Sequence, residues 1–185
     1  MKKALYFLAE LSDHDFEWLL TAGRRQVISA GTILIHEGVP TDAFYLLIDG
    51  TLSVSVDVLN GKEIARLSSG EVVGEMSFVD ARLPSATVKA LEDSLVWSIP
   101  RTQLAAKLLQ DVAFASHFYQ AIAVFLSDRL RGTVSRLGYT YGYGQEPQLD
   151  PAPETDTDLN PEILPSLELA KIRLEWLLGR LSVTH

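Results

Sequence analysis

The chain is 185 residues long, 47% hydrophobic and 22% charged, enough apolar material for an ordinary globular core, so disorder throughout is excluded. Its 24 acidic and 16 basic side chains leave a formal net charge of −8, which repels phosphate backbones and removes nucleic acid from the expected partners. With no cysteine, disulfides, thiolate catalysis and cysteine-ligated zinc or iron–sulfur sites are excluded together.

Met1 to Leu8 resembles the start of a signal peptide, but Glu10, Asp13 and Asp15 interrupt the apolar run before it is complete. No stretch approaches the roughly 18 consecutive apolar residues of a membrane span, and a soluble cytoplasmic protein is the default expectation. Leu8, Leu11, Phe16, Leu19 and Leu20 give a helical apolar pattern, and Ser12 with Asp15 three residues later forms a capping box, so a helix is expected to start near Ser12.

From Val27 to Trp97 the pattern changes to short β-branched runs separated by Gly, Pro, Asn and Asp. These runs are Thr32 to Ile35, Ala43 to Ile48, Thr51 to Val58, Ile64 to Leu67, Thr87 to Leu91 and Ser94 to Ile99. They predict an all-β sandwich or barrel. Leu52, Val54, Val56 and Val58 alternate with Thr51, Ser53, Ser55 and Asp57, a strand with one face buried and one wet. Asn60-Gly61 tolerates the positive φ angles of a type I′ turn and is expected to close a hairpin.

After Pro100 the period becomes helical, first with Leu104, Leu108 and Leu109. From Asp111 a second, longer helix carries Phe114, Phe118, Ile122, Phe125, Leu126, Arg129 and Leu130 and runs to about Leu137. The segment Gly138 to Gly144, with Tyr139, Tyr141 and Tyr143 between glycines, is read as its end. Gln145 to Glu162 then holds six acids, four prolines and no Lys or Arg, an extended acidic linker that contains most of the net charge. Ser166 caps a last helix with Leu167, Ala170, Leu174, Leu177, Leu178 and Leu181 on one face, widened by Leu169, Ile172 and Trp176. That face must dock on its own domain, a second subunit or another protein. The divisions expected are therefore a domain over 1–138 (β region about 27–99, helices about 100–137), a linker over 139–165 and a helix over 166–182.

One stretch carries chemistry. In Gly70-Glu71-Val72-Val73-Gly74-Glu75-Met76-Ser77-Phe78, a Gly-Glu pair followed by a small residue suggests a helical turn whose free N–H groups hold an anion, with Glu75 accepting from ligand hydroxyls. By itself, Gly plus Glu at a strand exit is more often turn and cap alone. Its setting adds Gly31-Thr32-Ile33-Leu34-Ile35-His36-Glu37-Gly38, Phe44-Tyr45-Leu46-Leu47-Ile48-Asp49-Gly50 and Ser85-Ala86-Thr87-Val88-Lys89-Ala90. With these segments, the chain from about Phe7 to Leu137 resembles the cyclic nucleotide-binding domain family.

The resemblance implies a mainly β fold with flanking helices: a jelly-roll barrel with an N-terminal helix and a C-terminal helical subdomain that moves when cAMP or cGMP arrives. It implies that Glu75 takes the ribose hydroxyl. Gly74, the Ser85 hydroxyl and the amides of Ser85 and Ala86 surround the cyclic phosphate. Met76, Ser77, Thr87 and the upstream Arg82 are further candidate ligand-binding residues. The long helix would pair subunits or cover the base, so Phe118, Ile122, Phe125 and Leu126 line either a dimer helix pair or the barrel. The departure from the family is Pro84, where relatives place the Arg that neutralises the phosphate. Losing one member of a desolvated charged pair costs about 2 to 5 kcal/mol, roughly 1.5 to 3.5 decades of affinity. Arg82, two residues upstream, is either a substitute or a solvated loop charge beside Asp80.

Other chemistries find few residues. A metal-bearing barrel needs clustered His and carboxylate ligands, yet His36 is the only histidine of the β region, so no metal is expected. No Ser-His-Asp spacing, P-loop or Gly-x-Gly-x-x-Gly loop appears, leaving no catalytic residue to name. The C-terminal part is too short and too acidic for the helix-turn-helix domain that many relatives carry. The leading expectation is a non-catalytic sensor or regulatory module whose nucleotide affinity is weakened or lost at Pro84. The alternatives are a ligand-free interaction module on the same barrel, or a sensor of a small molecule without phosphate that sits between the β region and the long helix.

Overall fold

The computed structural model describes residues 7–80 and 82–143, and residues 168–170, 172, 173, 175 and 176 of a C-terminal helix. After a helical turn at 7–9, α1 (Asp13–Ala22) leads into eight strands: β1 (Arg24–Ile28), β2 (Ile33–Ile35), β3 (Ala43–Asp49), β4 (Thr51–Val56), β5 (Lys62–Ser68), β6 (Val72–Val73), β7 (Thr87–Ala90) and β8 (Ser94–Pro100). A single helical turn, α2 (Met76–Val79), lies between β6 and β7. The helices α3 (Arg101–Gln110) and α4 (Val112–Tyr143) follow β8. The strands form two four-stranded sheets, ordered β1-β8-β3-β6 and β2-β7-β4-β5, with every pairing antiparallel. This is the jelly-roll arrangement expected, with helices flanking it.

β3 explains how the helices attach. Its residues 43–48 are all buried, because alternate side chains enter different cores. Ala43, Tyr45 and Leu47 face the core between the sheets with Ile28, Leu52, Val88 and Val96. Phe44, Leu46 and Ile48 face the helices, packing with Phe7, Leu19, Phe114, Phe118 and Ile122. The question left open for α4 is decided here in favour of the barrel. Phe118, Ile122 and Phe125 are at most 2% exposed, and Leu126 packs partly buried on the same cluster.

The capping box at α1 is present. The Asp15 amide donates to Ser12 Oγ at 3.2 Å, while Asp15 Oδ2 accepts from the Ser12 amide at 2.8 Å and its hydroxyl at 2.6 Å. His117 Nδ1 of α4 lies 2.7 Å from the same oxygen. Burial alone raises the Asp15 pKa, but the Ser12 hydrogen bonds and His117 outweigh it and hold the carboxyl below its ordinary 3.8. A depressed carboxyl contributes stability that is present above the unfolded value and lost as pH falls through the folded one. Asp15→Asn is therefore expected to cost about 1–2 kcal/mol in urea unfolding at pH 7. The gap to the native protein should narrow as pH falls below about 4. A gap independent of pH would show that the carboxylate charge plays no part.

Four local expectations change. β4 stops at Val56, because Asp57–Leu59 leave the sheet as a 3-10 turn, and Val58, expected inside, is 85% exposed. Asn60 and Gly61 do take positive φ, 56° and 72°, but as the end of this five-residue connection between Val56 and Lys62. Ser53, expected on the wet face, is buried, since β4 is an inner strand flanked by β5 and β7. α4 continues through Gly138 to Tyr143, past the Gly-Tyr segment read as its end. A glycine inside a helix costs only about 1 kcal/mol relative to Ala, and no proline intervenes.

The C-terminal helix docks on its own chain through a residue the apolar pattern passes over. Arg173, 5% exposed, donates from Nη1 to the carbonyls of Leu8 and Leu11 at 2.7 and 2.5 Å, and from Nη2 to Asp13 Oδ1 at 2.7 Å. Ala170, one turn earlier, is fully buried, and Trp176 meets the Phe16 ring at 6.4 Å. Leu169, Ile172 and Trp176 keep 42%, 60% and 51% exposure. The linker expected over 145–162 lies outside the described residues, as do Leu167, Leu174, Leu177, Leu178 and Leu181 of the last helix's apolar face.

Candidate functional site

The site is built where β6 gives way to α2. Gly74 has φ +86°, and a Cβ there would lie 2.8 Å from the Ala43 carbonyl of β3, so only glycine lets the chain turn this close to the sheet. The turn places Glu75 at the start of α2, 2% exposed. Ser77 faces α3. Its Oγ donates to the Gly74 carbonyl at 3.0 Å and accepts from Arg101 Nη1 at 2.6 Å, while Arg101 Nη2 donates to the Ser77 carbonyl at 3.0 Å. The Arg101 guanidinium also lies 4.6 Å from the Phe78 ring centre, so α2 is clamped to the first turn of α3. Met76 is 47% exposed.

Glu75 has a partner in α4. Arg129 Nη1 donates to Glu75 Oε1 at 2.8 Å, and Nη2 donates to the Val72 carbonyl at 3.2 Å and reaches Glu71 Oε2 at 3.5 Å. The Phe125 ring, one turn earlier on α4, lies 4.5 Å from the guanidinium carbon. Burial pushes the Glu75 carboxyl above the ordinary carboxylate value and Glu71 adds to this. Arg129 pulls the other way by charge and hydrogen bond, without cancelling the burial.

The segment expected to hold phosphate is stitched to its surroundings by backbone. The Pro84 carbonyl accepts from the Gly38 amide at 2.9 Å, and Thr87 Oγ1 accepts from the Glu37 amide at 3.1 Å. Glu37, beside His36, turns its carboxylate to the Asp57 amide at 2.8 Å. Ser85 is exposed and Ala86 half-buried. Arg82 points outward: its side chain is 84% exposed, its Nε is 3.7 Å from Asp80 Oδ2, and its amide donates to Asp80 Oδ1 at 3.1 Å.

Of the residues expected from sequence, the structure brings Gly74, Glu75 and Ser77 into one buried turn and sends Arg82 to a surface pair. It adds Arg129 and Glu71, which the sequence reading did not place in the site. The available signal was a cation at an apolar register position, one turn after Phe125. The small molecule without phosphate was expected between the β region and the long helix, where Arg129 and Phe125 stand against Glu75. An open depression of about 460 Å³ lies elsewhere, lined by Asp49, Gly50, Thr51, Ser68, Ser69, Glu92 and Asp93. Among the described residues no three His, Cys, Asp or Glu side chains gather as a metal site, and no helix is long and apolar enough to cross a membrane.

Two antiparallel sheets, a Gly-Glu helical turn between β6 and β7, and a long helix lying over that turn define a jelly-roll domain. Residues 25–111 match the family described as cyclic nucleotide-binding domain. An uncharacterized NTE family protein of Mycobacterium tuberculosis is 30% identical over 114 residues, 62% of this chain and 18% of that protein. A lysophospholipase of Aspergillus terreus is 24% identical over 134 residues, 71% of this chain and 8% of its own length. The chain therefore spans under a fifth of these curated relatives. A solved cyclic nucleotide-binding domain from Methylobacillus flagellatus shares the fold with a TM-score of 0.66 at 21% identity, over 75% of this chain and 82% of that one.

Proposed function

We propose that this chain is a non-catalytic regulatory module whose affinity for cyclic nucleotides is weak or lost, and whose output passes through its helices. The observation that carries this reading is the phosphate segment. Pro84 stands where the family places a guanidinium, its carbonyl is committed to Gly38, and the neighbouring Arg82 is paired outward with Asp80. A cyclic phosphate there would meet backbone amides without a cation, forfeiting about 2–5 kcal/mol of charge-assisted binding.

The lysophospholipase activity in the fungal relative's name belongs to a chain of which the matched part is 8%. The family model matches residues 25–111, from β1 to the end of α3. The Asp–His contact of Asp15 with His117 has the Ser12 hydroxyl bonded to the aspartate rather than the imidazole, which is not the order a nucleophilic serine needs. In this reading the barrel and α3–α4 form the sensor domain, to about Tyr143. The acidic segment from there to 165 is a tether, and the helix over 166–182, with Leu169, Ile172 and Trp176 partly exposed, is the output or anchoring element.

Isothermal titration with cAMP and with cGMP tests the reading. The expected result is no saturable heat below about 0.1 mM ligand, the range left after two or three decades of lost affinity. Micromolar binding by the native chain would overturn it.

A further inference from the structure

We propose that the segment over residues 8–16 is a docking surface that reads an arginine on a helix, that the chain's own last helix is its occupant, and that α4 sets how firmly this helix is held. The lock needs no nucleotide, because none of its residues lies in the Gly74–Glu75 turn or in the segment over 84–87.

The occupant is held by a polar fork more than by apolar area. Arg173 is 5% exposed, and its terminal nitrogens reach three oxygens: Nη1 the carbonyls of Leu8 and Leu11 at 2.7 and 2.5 Å, Nη2 the Asp13 carboxylate at 2.7 Å. The Phe16 ring, 5.8 Å from the guanidinium carbon, closes the socket. A lysine carries the charge without the planar fork and cannot serve the carbonyls and the carboxylate together. Among the described residues of this helix only Ala170 and Arg173 are buried, while Leu169, Ile172 and Trp176 remain largely exposed. An element with so little buried apolar surface opens far below the global unfolding energy, so the fork decides whether it stays.

The socket is in turn held by α4. Asp15 Oδ2 accepts from the Ser12 amide and hydroxyl, and His117 Nδ1 lies 2.7 Å from the same oxygen. Beside it, Gln120 Nε2 donates to Glu10 Oε2 at 2.7 Å and the Phe118 ring meets Phe7 at 5.9 Å. One turn of α4 thus grips residues 7, 10 and 15, on both sides of the carbonyls that Arg173 reads. A shift of α4 displaces those carbonyls, and the last helix answers to the position of the long one. The geometry fits a single chain: α4 rises about 39 Å from His117 to Tyr143, and the residues between Tyr143 and Glu168 span about 80 Å at full extension, enough to return to the socket.

Amide exchange of the intact chain tests the lock, comparing native, R173Q, R173K and H117Q/Q120A proteins at neutral pH. The expected result is exchange at residues 168–176 at least tenfold faster in R173Q and R173K and at least threefold faster in H117Q/Q120A, with β3 amides unchanged. R173K, which keeps the charge and most of the stem, decides if R173Q also disturbs β3. Unchanged exchange at 168–176 in the Arg173 variants overturns the arginine-reading surface, and unchanged exchange there in H117Q/Q120A overturns the control by α4. A native dimer in light scattering that R173Q abolishes would place the helix on a second copy and overturn the occupant named. Micromolar binding of cAMP or cGMP by the native protein overturns the earlier reading of a weakened site instead, so the failures are distinguishable.

Discussion

Arg129→Met is expected to lower the unfolding free energy by about 2–4 kcal/mol in urea titrations at neutral pH, and Arg129→Met/Glu75→Gln to recover more than half of that loss. Breaking a buried ion pair at one partner leaves a charge that neither water nor protein solvates, typically at a cost of about 3–5 kcal/mol. The lower range applies here because the group left behind, Glu75, can take up a proton rather than stay charged in its buried position. The Glu75 carboxyl is already raised by burial, and without Arg129 it rises further, so the variant relieves its strain by taking up a proton. A carboxyl with a raised folded pKa favours the folded state below the unfolded value and loses that contribution as pH climbs through the folded one. The Arg129→Met penalty should therefore shrink from pH 7 toward pH 5. A loss below about 0.5 kcal/mol, or one unaffected by Glu75→Gln, would show that the pair contributes nothing to stability.

Phe118→Ala is expected to cost about 3–5 kcal/mol, enough to unfold a large share of a marginally stable domain at 37 °C. Phe118 is fully buried, and its ring meets Phe7 at 5.9 Å, Phe44 at 5.7 Å, Phe78 at 6.3 Å and Phe114 at 6.0 Å. It thus joins the N-terminal turn, β3, α2 and α4 in one aromatic cluster. The control lies on the same helix: Leu130 is 64% exposed, and Leu130→Ala should stay within about 0.5 kcal/mol. Thermal or urea unfolding of both variants separates a helix that covers its own barrel from one whose apolar residues await a second subunit. Similar small losses in both would contradict the packing described.

Much of the fold was legible because its determinants are local. Ser12 and Asp15 specify the start of α1 within one turn, and the cap is found where the two residues stand. The continuous apolar run in β3 has its physical cause in burial on both faces. Where local pattern failed, a neighbour decided. Val58 continues the alternation of β4, but the chain had already left the sheet, and Ser53 is covered because strands flank β4 on both sides. At the site, Gly74 and Glu75 were legible as a type of turn, since glycine at positive φ and a following acid carry their own chemistry. Arg82 could not be placed from sequence, because an exposed loop arginine chooses between Asp80 and the site by a small energy difference.

The chain by itself determined the series of short strands, the helices that follow and the Gly-Glu turn, all of which depend on residues near one another or on periodic burial. Only the tertiary structure decided what neutralises Glu75 and what fastens the last helix. Arg129 lies 54 residues from its carboxylate, and Arg173 lies 160 or more from Asp13, Leu11 and Leu8. Each looks like a stray cation in an apolar stripe until folding brings an acid or a free carbonyl to it. The reason is electrostatic: a buried charge is tolerable only beside its partner, and sequence spacing carries no record of a partner supplied by another element.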